Sequence, residues 1–144
     1  MISVERVTSS ADVTLPDINE LLRQLRTVVN HAGGTHAELN SITSDSNVIF
    51  VVAKDRHKTV GMGTIYLATK FEKKTGFVED VVVSETYRGQ GLGQKIMEIL
   101  IDEARKNGAT QLYLTSRPER VAAHKLYEKL GFKIKKTDVF KMEF

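Results

Sequence analysis

The sequence predicts one α/β domain, residues 1–144, built around a mixed sheet. Three observations lead there. The second half of the chain reads strand, helix, strand, helix, a rhythm that sets parallel strands side by side. The first half holds two apolar runs separated by a charged turn, which makes an antiparallel hairpin. And 144 residues can bury one real core but leave little room for a second.

The elements follow in order. Residues 2–7 alternate in polarity like a half-buried strand. Thr14 can cap a helix whose first turn tolerates Pro16, and Asp17 stands where the acid of a capping box belongs. Ile18, Leu21, Leu22, Leu25, Val28 and Val29 form an apolar stripe at helical spacing, with Gly33 and Gly34 expected to end it. A short helix is expected around residues 35–42. Residues 48–53 predict a strand, 55–58 a charged turn and 60–68 the partner strand. Residues 76–83 form another strand, ending in Val81, Val82 and Val83.

An amphipathic helix follows over residues 91–106, with Leu92, Ile96, Ile99, Leu100 and Ala104 on one face and Asn107 and Gly108 as its stop. Residues 111–115 predict a strand. Pro118 can open a further helix that carries Val121, Ala122, Leu126 and Leu130 and ends at Gly131. Residues 132–134 and 139–144 are expected to close the sheet as two strands. Lys133, Lys135 and Lys136 would lie on a solvated edge and discourage further pairing.

Composition narrows the function. Hydrophobic residues make up 41% and charged residues 27%, as in soluble globular domains. The absence of cysteine excludes disulfides, a thiolate zinc site and a cysteine nucleophile. No stretch approaches a membrane span, and the first residues hold no apolar run of signal-peptide length, so cytoplasmic residence is expected. A net charge of +3 would help attract an anionic ligand but does not indicate nucleic acid.

The chemistry concentrates in residues 81–94, where a strand feeds a glycine-rich turn and the turn opens a helix. Glycines adopt positive φ and let the backbone approach a ligand. The first helical amides lack partners inside the helix, and the helix dipole adds positive potential. Together they suit a pyrophosphate, and Arg88 adds a formal charge. A Walker loop would need Gly-Lys-Ser/Thr where Gly91, Leu92, Gly93 and Gln94 stand. A dinucleotide fingerprint would need a third glycine at another offset, on an early strand. A ligand-free glycine turn is the competing structural reading.

What fits is Arg-x-x-Gly-x-Gly, carried by Arg88, Gly91 and Gly93. A second segment fits Ala-x-x-x-Tyr-x-x-x-Gly-Phe, carried by Ala123, Tyr127, Gly131 and Phe132. With both in place, residues 76–132 resemble the GNAT superfamily of acetyl-coenzyme A-dependent N-acetyltransferases. The first half agrees in element order. One departure is Arg120, where many members carry Asn; others show Arg-x-x-Ala-His-x-x-Tyr, as Arg120, Ala123, His124 and Tyr127 do here. The run from Glu79 to Val83 also resembles the corresponding strand of glucosamine-phosphate acetyltransferases, over too few residues to transfer a substrate.

The resemblance implies the acyl-coenzyme A N-acyltransferase fold and a set of roles. Arg88, Gly89, Gln90, Gly91, Leu92, Gly93 and Gln94 would hold the pyrophosphate of acetyl-coenzyme A. Val81, Val82 and Val83 would offer backbone amides to its pantetheine arm, as a strand does, where their strand splays from residues 111–115. An amide near Val81 or Val82 would stabilise the oxyanion. A buried parallel strand explains the valine side chains equally well, and both readings can hold.

Tyr127 would be the general acid for the leaving thiolate; alone, a helical Tyr reads as a packing residue with a wet hydroxyl. Glu79 would be the general base, since an alkyl amine with a pKa of about 10.4 must lose a proton before it attacks. Alternation puts Asp80 on the opposite face, and a bulge would exchange their roles, so Glu79, Asp80 and water all stay open as the base. A charged residue at a strand start is the competing reading of Glu79.

His124 lies one turn before Tyr127 and reads either as its support or as a surface histidine. His31 and His36 flank the glycine pair without cysteines or clustered acids, so no metal is expected. The function implied is acetyl transfer to a primary amine, directly in a ternary complex. The alternative is a non-catalytic acyl-coenzyme A sensor. The implied partners are acetyl-coenzyme A and an amine acceptor, with no nucleic acid and no membrane, and a homodimer is allowed for. An amino sugar, aminoalkyl compound, polyamine, aminoglycoside or peptide amine would each serve as acceptor, because fold does not settle substrate.

Overall fold

A computed structural model of the chain describes residues 1–26 and 32–144. One interior strand of its sheet is β2 (Val48–Asp55), whose first six residues are all buried. A strand covered on both faces needs no polar alternation, which is why 48–53 reads as an unbroken apolar run. Beside it lie β1 (Ile2–Arg6) and β3 (Lys58–Lys70), both antiparallel. β4 (Lys73–Val83) pairs antiparallel with β3, and β5 (Gln111–Tyr113) pairs parallel with β4. The order β1-β2-β3-β4-β5 is the mixed sheet that the hairpin and the crossover predict.

Helices cover both faces. α3 (Leu92–Lys106) buries Leu92, Ile96, Met97, Leu100 and Ala104 against Ile49, Val51, Ile65 and Val78. The opposite face is covered by α1 (Leu15–Leu25) and α2 (His36–Ser44), which bury Ile18, Leu21 and Leu39 against Phe50, Val52, Met62 and Val82. α4 (Val121–Lys129) follows β5 and buries no residue fully. Among the described residues, no helix is long and apolar enough to cross a membrane.

Four expectations need correction. α1 ends at Leu25, with Arg26 already extended (φ −78°, ψ 139°), so the glycine pair does not stop it. Instead Asn19 Oδ1 accepts the Gly34 N–H at 2.7 Å, and Gly33 takes φ +76° in the loop that this bond anchors. Val28, Val29 and His31 lie outside the described residues. Second, Thr14 makes no side-chain cap, and Asp17 accepts the Thr59 N–H at 3.0 Å rather than closing a capping box. A capping box does form at α2, between Thr35 and Glu38. Third, β5 stops at Tyr113, because β4 has left its side.

Fourth, residues 132–134 and 139–144 form no strand. A strand exists only when its N–H and C=O groups bond to a neighbouring strand, and beyond Phe132 no backbone hydrogen bond joins these residues to one among the described residues. Of the lysines placed on that edge, Lys135 reaches back to the Tyr113 hydroxyl at 3.0 Å, while Lys133 and Lys136 are exposed.

Candidate active site

The site begins where β4 and β5 part. Their ladder covers only Thr75–Gln111, Gly76–Leu112 and Phe77–Tyr113, while β4 continues to Val83. From Val78 onward the β5-facing edge of β4 has no strand partner. Val81 and Val83 pack towards α3 and Val82 towards α1, so the side chains are engaged while that edge of the backbone stays available.

A bulge lies in the same stretch. Thr64 pairs with Glu79 but Met62 pairs with Val82, so the single residue Gly63 spans Asp80 and Val81. Strict alternation would put Val78 and Val82 on one face; the structure buries them on opposite faces. Gly63 permits this, since a Cβ there would lie 2.9 Å from Leu100 Cδ1 and 3.0 Å from Ile96 Cγ2. Thr64 Oγ1 donates to the Glu79 carbonyl at 2.8 Å. Asp80 takes φ +52° and turns its carboxylate towards α1, where Oδ1 meets Arg26 Nη2 at 3.0 Å.

Glu79 and Asp80 therefore share a face, contrary to the alternation expected of the sequence. Partial burial pushes the Glu79 carboxyl above its ordinary pKa, the neighbouring Asp80 charge pushes it further, and Arg26 opposes both. Tyr66 feels both acids: burial and then Asp80 raise its pKa, with a smaller push from Glu79 and a hydrogen bond to Thr64 acting the other way.

Asp80 lines a cavity of about 340 Å³. Ile18, Leu22, Ile42 and Phe50 give it apolar walls, while Arg26, Thr64, Tyr66 and Asp80 form a polar end. Glu79 is not part of its lining. Arg26, Thr64 and Tyr66 carry no motif: the register of β3 against β4 brings Thr64 and Tyr66 to the two acids, and the packing of α1 brings Arg26.

The glycine turn closes the other end of the free edge. Gly89 (φ +80°) and Gly91 (φ +78°) take a conformation that side chains resist, and Gly91 caps α3 without a side-chain bond. Gly93 has no such constraint: a Cβ there would make only ordinary contacts at 3.9 Å with Leu126 and Val83. The chain itself does not require glycine at 93, but a close ligand would. Lys95 N donates to the Gly91 carbonyl at 3.1 Å, and the amides of the helix's first turn before it have no acceptor within the helix, which makes them an anion cradle.

Arg88 Nε donates to the Val83 carbonyl at 2.9 Å, which holds the guanidinium beside the cradle. Two further bonds pin the turn, from Tyr87 Oη to Asp55 Oδ2 at 2.6 Å and from Glu85 N to Gln24 Oε1 at 2.9 Å. These residues fit a pyrophosphate in charge, in backbone donors and in the room left at Gly93.

α4 lies against the same turn, with Lys129 Nζ donating to Gln94 Oε1 at 3.0 Å. Tyr127 is half-buried against the α3-side core and meets Phe132 edge-on at 6.0 Å between ring centroids. Burial raises its pKa and Arg120 opposes the shift. Its hydroxyl makes no hydrogen bond among the described residues. Glu79 lies on the α1 face and Tyr127 on the α3 side, so the two flank the β4 edge from opposite faces. His124 is engaged elsewhere: its Nε2–H donates to the Arg117 carbonyl at 3.0 Å and ties α4 to the turn before it. His36 is exposed, and among the described residues no three His, Asp or Glu side chains gather as a metal site.

A model of the acetyltransferase (GNAT) family matches residues 15–132. The chain belongs to that family. Glucosamine 6-phosphate N-acetyltransferase of Arabidopsis thaliana is 32% identical over 101 residues, covering 67% of this chain and 66% of the relative. The [ribosomal protein bS18]-alanine N-acetyltransferase of Escherichia coli is 45% identical over 53 residues, covering 37% of this chain and 36% of the relative. The chain thus spans about two thirds or less of the curated relatives it matches. The crystal structure of the Arabidopsis enzyme superposes with a TM-score of 0.80 at 27% identity, covering 99% of this chain and 98% of that one. The GNAT fold read from the two motifs is therefore the fold of this protein.

Proposed function

We propose that this GNAT protein moves an acetyl group from acetyl-coenzyme A to a primary amine, directly and within a ternary complex. The observation that carries the reading is the free edge of β4, bounded by the anion cradle at one end and by two carboxylates at the other. Acetyl-coenzyme A would supply the activated acetyl thioester. Arg88 and the amides of residues 89–94 hold its pyrophosphate, and the edge amides of residues 81–83 hold its pantetheine arm as a strand would.

The chain's own groups then divide the work. Glu79 and Asp80 attract an ammonium group to the polar end of the cavity. Glu79, its pKa raised by burial and by Asp80, takes the proton that an alkyl amine must lose, directly or through water. A backbone N–H at Val81 or Val82 donates to the acyl oxygen as charge builds there. Tyr127, kept protonated by its raised pKa, gives a proton to the leaving sulfur.

The cavity also narrows the acceptor. Its apolar walls suit an amine with an apolar body. Among the described lining residues Arg26 is the one cation, and Asp80 already holds it. A phosphorylated amino sugar, the acceptor that the Arabidopsis relative's name gives, would find little free positive charge. Release of coenzyme A thiol should be measured against a panel of amines. Turnover fastest with alkyl or arylalkyl amines supports the reading, whereas tight cofactor binding with no turnover on any amine replaces it with the sensor.

A further inference from the structure

α1 ends against the cofactor turn, and one of its side chains closes the contact. The Glu85 N–H opens a short 3₁₀ helix, Glu85–Tyr87, and donates to Gln24 Oε1 at 2.9 Å. An amide at the start of such a turn needs an acceptor from outside it. Ser84, which flanks the turn, makes no side-chain capping bond. The acceptor comes instead from a helix residue 61 positions earlier in the chain. The turn it satisfies leads straight into Arg88, Gly89 and Gly91.

Gln24 is itself held. Its Nε2 donates to Glu20 Oε1 at 3.0 Å, one helical turn back, so the amide presents its oxygen to Glu85. Glu20 is fixed in turn by Arg23, whose Nη2 and Nε donate to its two oxygens at 2.6 and 3.0 Å. The bonds from Arg23 and then from Gln24 hold the Glu20 carboxyl down to about 2, so it stays ionised near neutral pH. The same helix end meets the acceptor side. Leu22 walls the cavity, and Arg26 pairs with Asp80 at 3.0 Å. The end of α1 is thus tied both to Asp80 and to Glu85.

We propose that Gln24 is a positioning residue for acetyl-coenzyme A: from α1 it holds the turn that carries Arg88 and the glycines in the shape that receives the pyrophosphate. The inference rests on the cofactor site assigned above. Gln24 acts through the Glu85 amide rather than on the cofactor. That amide is paired before any ligand arrives, so the turn is already ordered. Without the bond, cofactor binding must order the turn itself, and that cost weakens affinity. The helix that walls the acceptor cavity thereby also sets the cofactor turn.

Gln24→Met tests it, because it keeps the side chain's length and helix propensity but removes its oxygen. Calorimetry with coenzyme A should show Kd raised about 5–30-fold, the equivalent of ordering about one backbone residue. KM for acetyl-coenzyme A should rise alongside, while kcat with the fastest amine holds. The unfolding temperature of the ligand-free variant should fall by no more than about 4 °C, since one surface hydrogen bond is lost. An unchanged Kd overturns the proposal. So does weaker binding that comes with a larger fall in unfolding temperature, because Gln24 is then merely structural. If the parent itself binds no coenzyme A, the acetyltransferase reading fails and takes the proposal with it. A measurement on the parent decides even if the variant does not fold. Residue-resolved hydrogen exchange should find the Glu85 amide protected before coenzyme A is added, and free exchange there overturns the proposal.

Discussion

Replacing Tyr127 by Phe separates packing from proton donation. The ring keeps its edge contact with Phe132 and its place against the core. The hydroxyl has no partner among the described residues, so its removal orphans no acceptor, and stability should stay within about 1 kcal/mol of the parent. Affinity for coenzyme A should also hold, because the cradle and the β4 edge bind through backbone groups.

The chemical step should slow by about 10²–10⁴-fold, equivalent to about 3–5 kcal/mol of barrier. Tyr127 is only half-buried, so water can reach the sulfur and the low end is expected. Single-turnover thiol release is the right assay, since slow product release would mask the loss in steady state. Its pH dependence adds a second readout. Burial raises the Tyr127 pKa, so the parent should lose activity on the basic side only above the ordinary tyrosine range, and the Phe variant should lack that limb. Equal single-turnover rates for the two proteins across pH would reduce Tyr127 to a packing residue.

Other outcomes follow from the same geometry. Gly93→Glu should abolish coenzyme A binding in calorimetry while the fold survives, because 93 needs no positive φ and has room for a Cβ; unchanged affinity would remove the cradle from the site. Burial and Asp80 raise the Glu79 pKa, so kcat/KM should fall as pH drops through a value above the usual carboxylate range, and Glu79→Gln should erase that limb. If Asp80→Asn erases it instead, Asp80 is the base. Initial-rate plots should intersect, as direct transfer demands; parallel lines with an isolable acetyl-protein would refute it. Leu100→Ala, at a fully buried position on α3, should cost about 2–5 kcal/mol in urea unfolding, and a loss below 1 kcal/mol would contradict the packing described.

What the sequence made legible was local. The β2–β3 hairpin shows as two apolar runs around a turn, and α3 shows its buried stripe directly. The cradle is legible for the same reason, since its glycines, its arginine and its helix start are consecutive residues. The end of α1 was not, because Gly33 and Gly34 serve a loop bond to Asn19 rather than a helix stop. The segment 139–144 reads as a strand and has the pattern of one, but pairing is a property of its neighbour. Thr64 and Tyr66 on β3 and Arg26 at the end of α1 carry no signal until the sheet and helix assemble.

The two acids make that limit concrete. Nothing in the order Glu79, Asp80, Val81 says which carboxylate faces α1; the answer lies across the ladder, in the absence of a side chain at Gly63 and the hydroxyl at Thr64. The bulge holds Asp80 at φ +52°, a conformation that costs a non-glycine residue on the order of 1 kcal/mol and that Asp tolerates better than most. A strained residue persists where its surroundings hold it, and here the Arg26 ion pair does so. That pair also differentiates the carboxylates. Asp80 is committed to a guanidinium, whereas Glu79 has no hydrogen bond to its carboxylate among the described residues and carries the raised pKa. On the proposed reading, Asp80 fixes charge and shape at the cavity's polar end, and Glu79 is left free to take the proton.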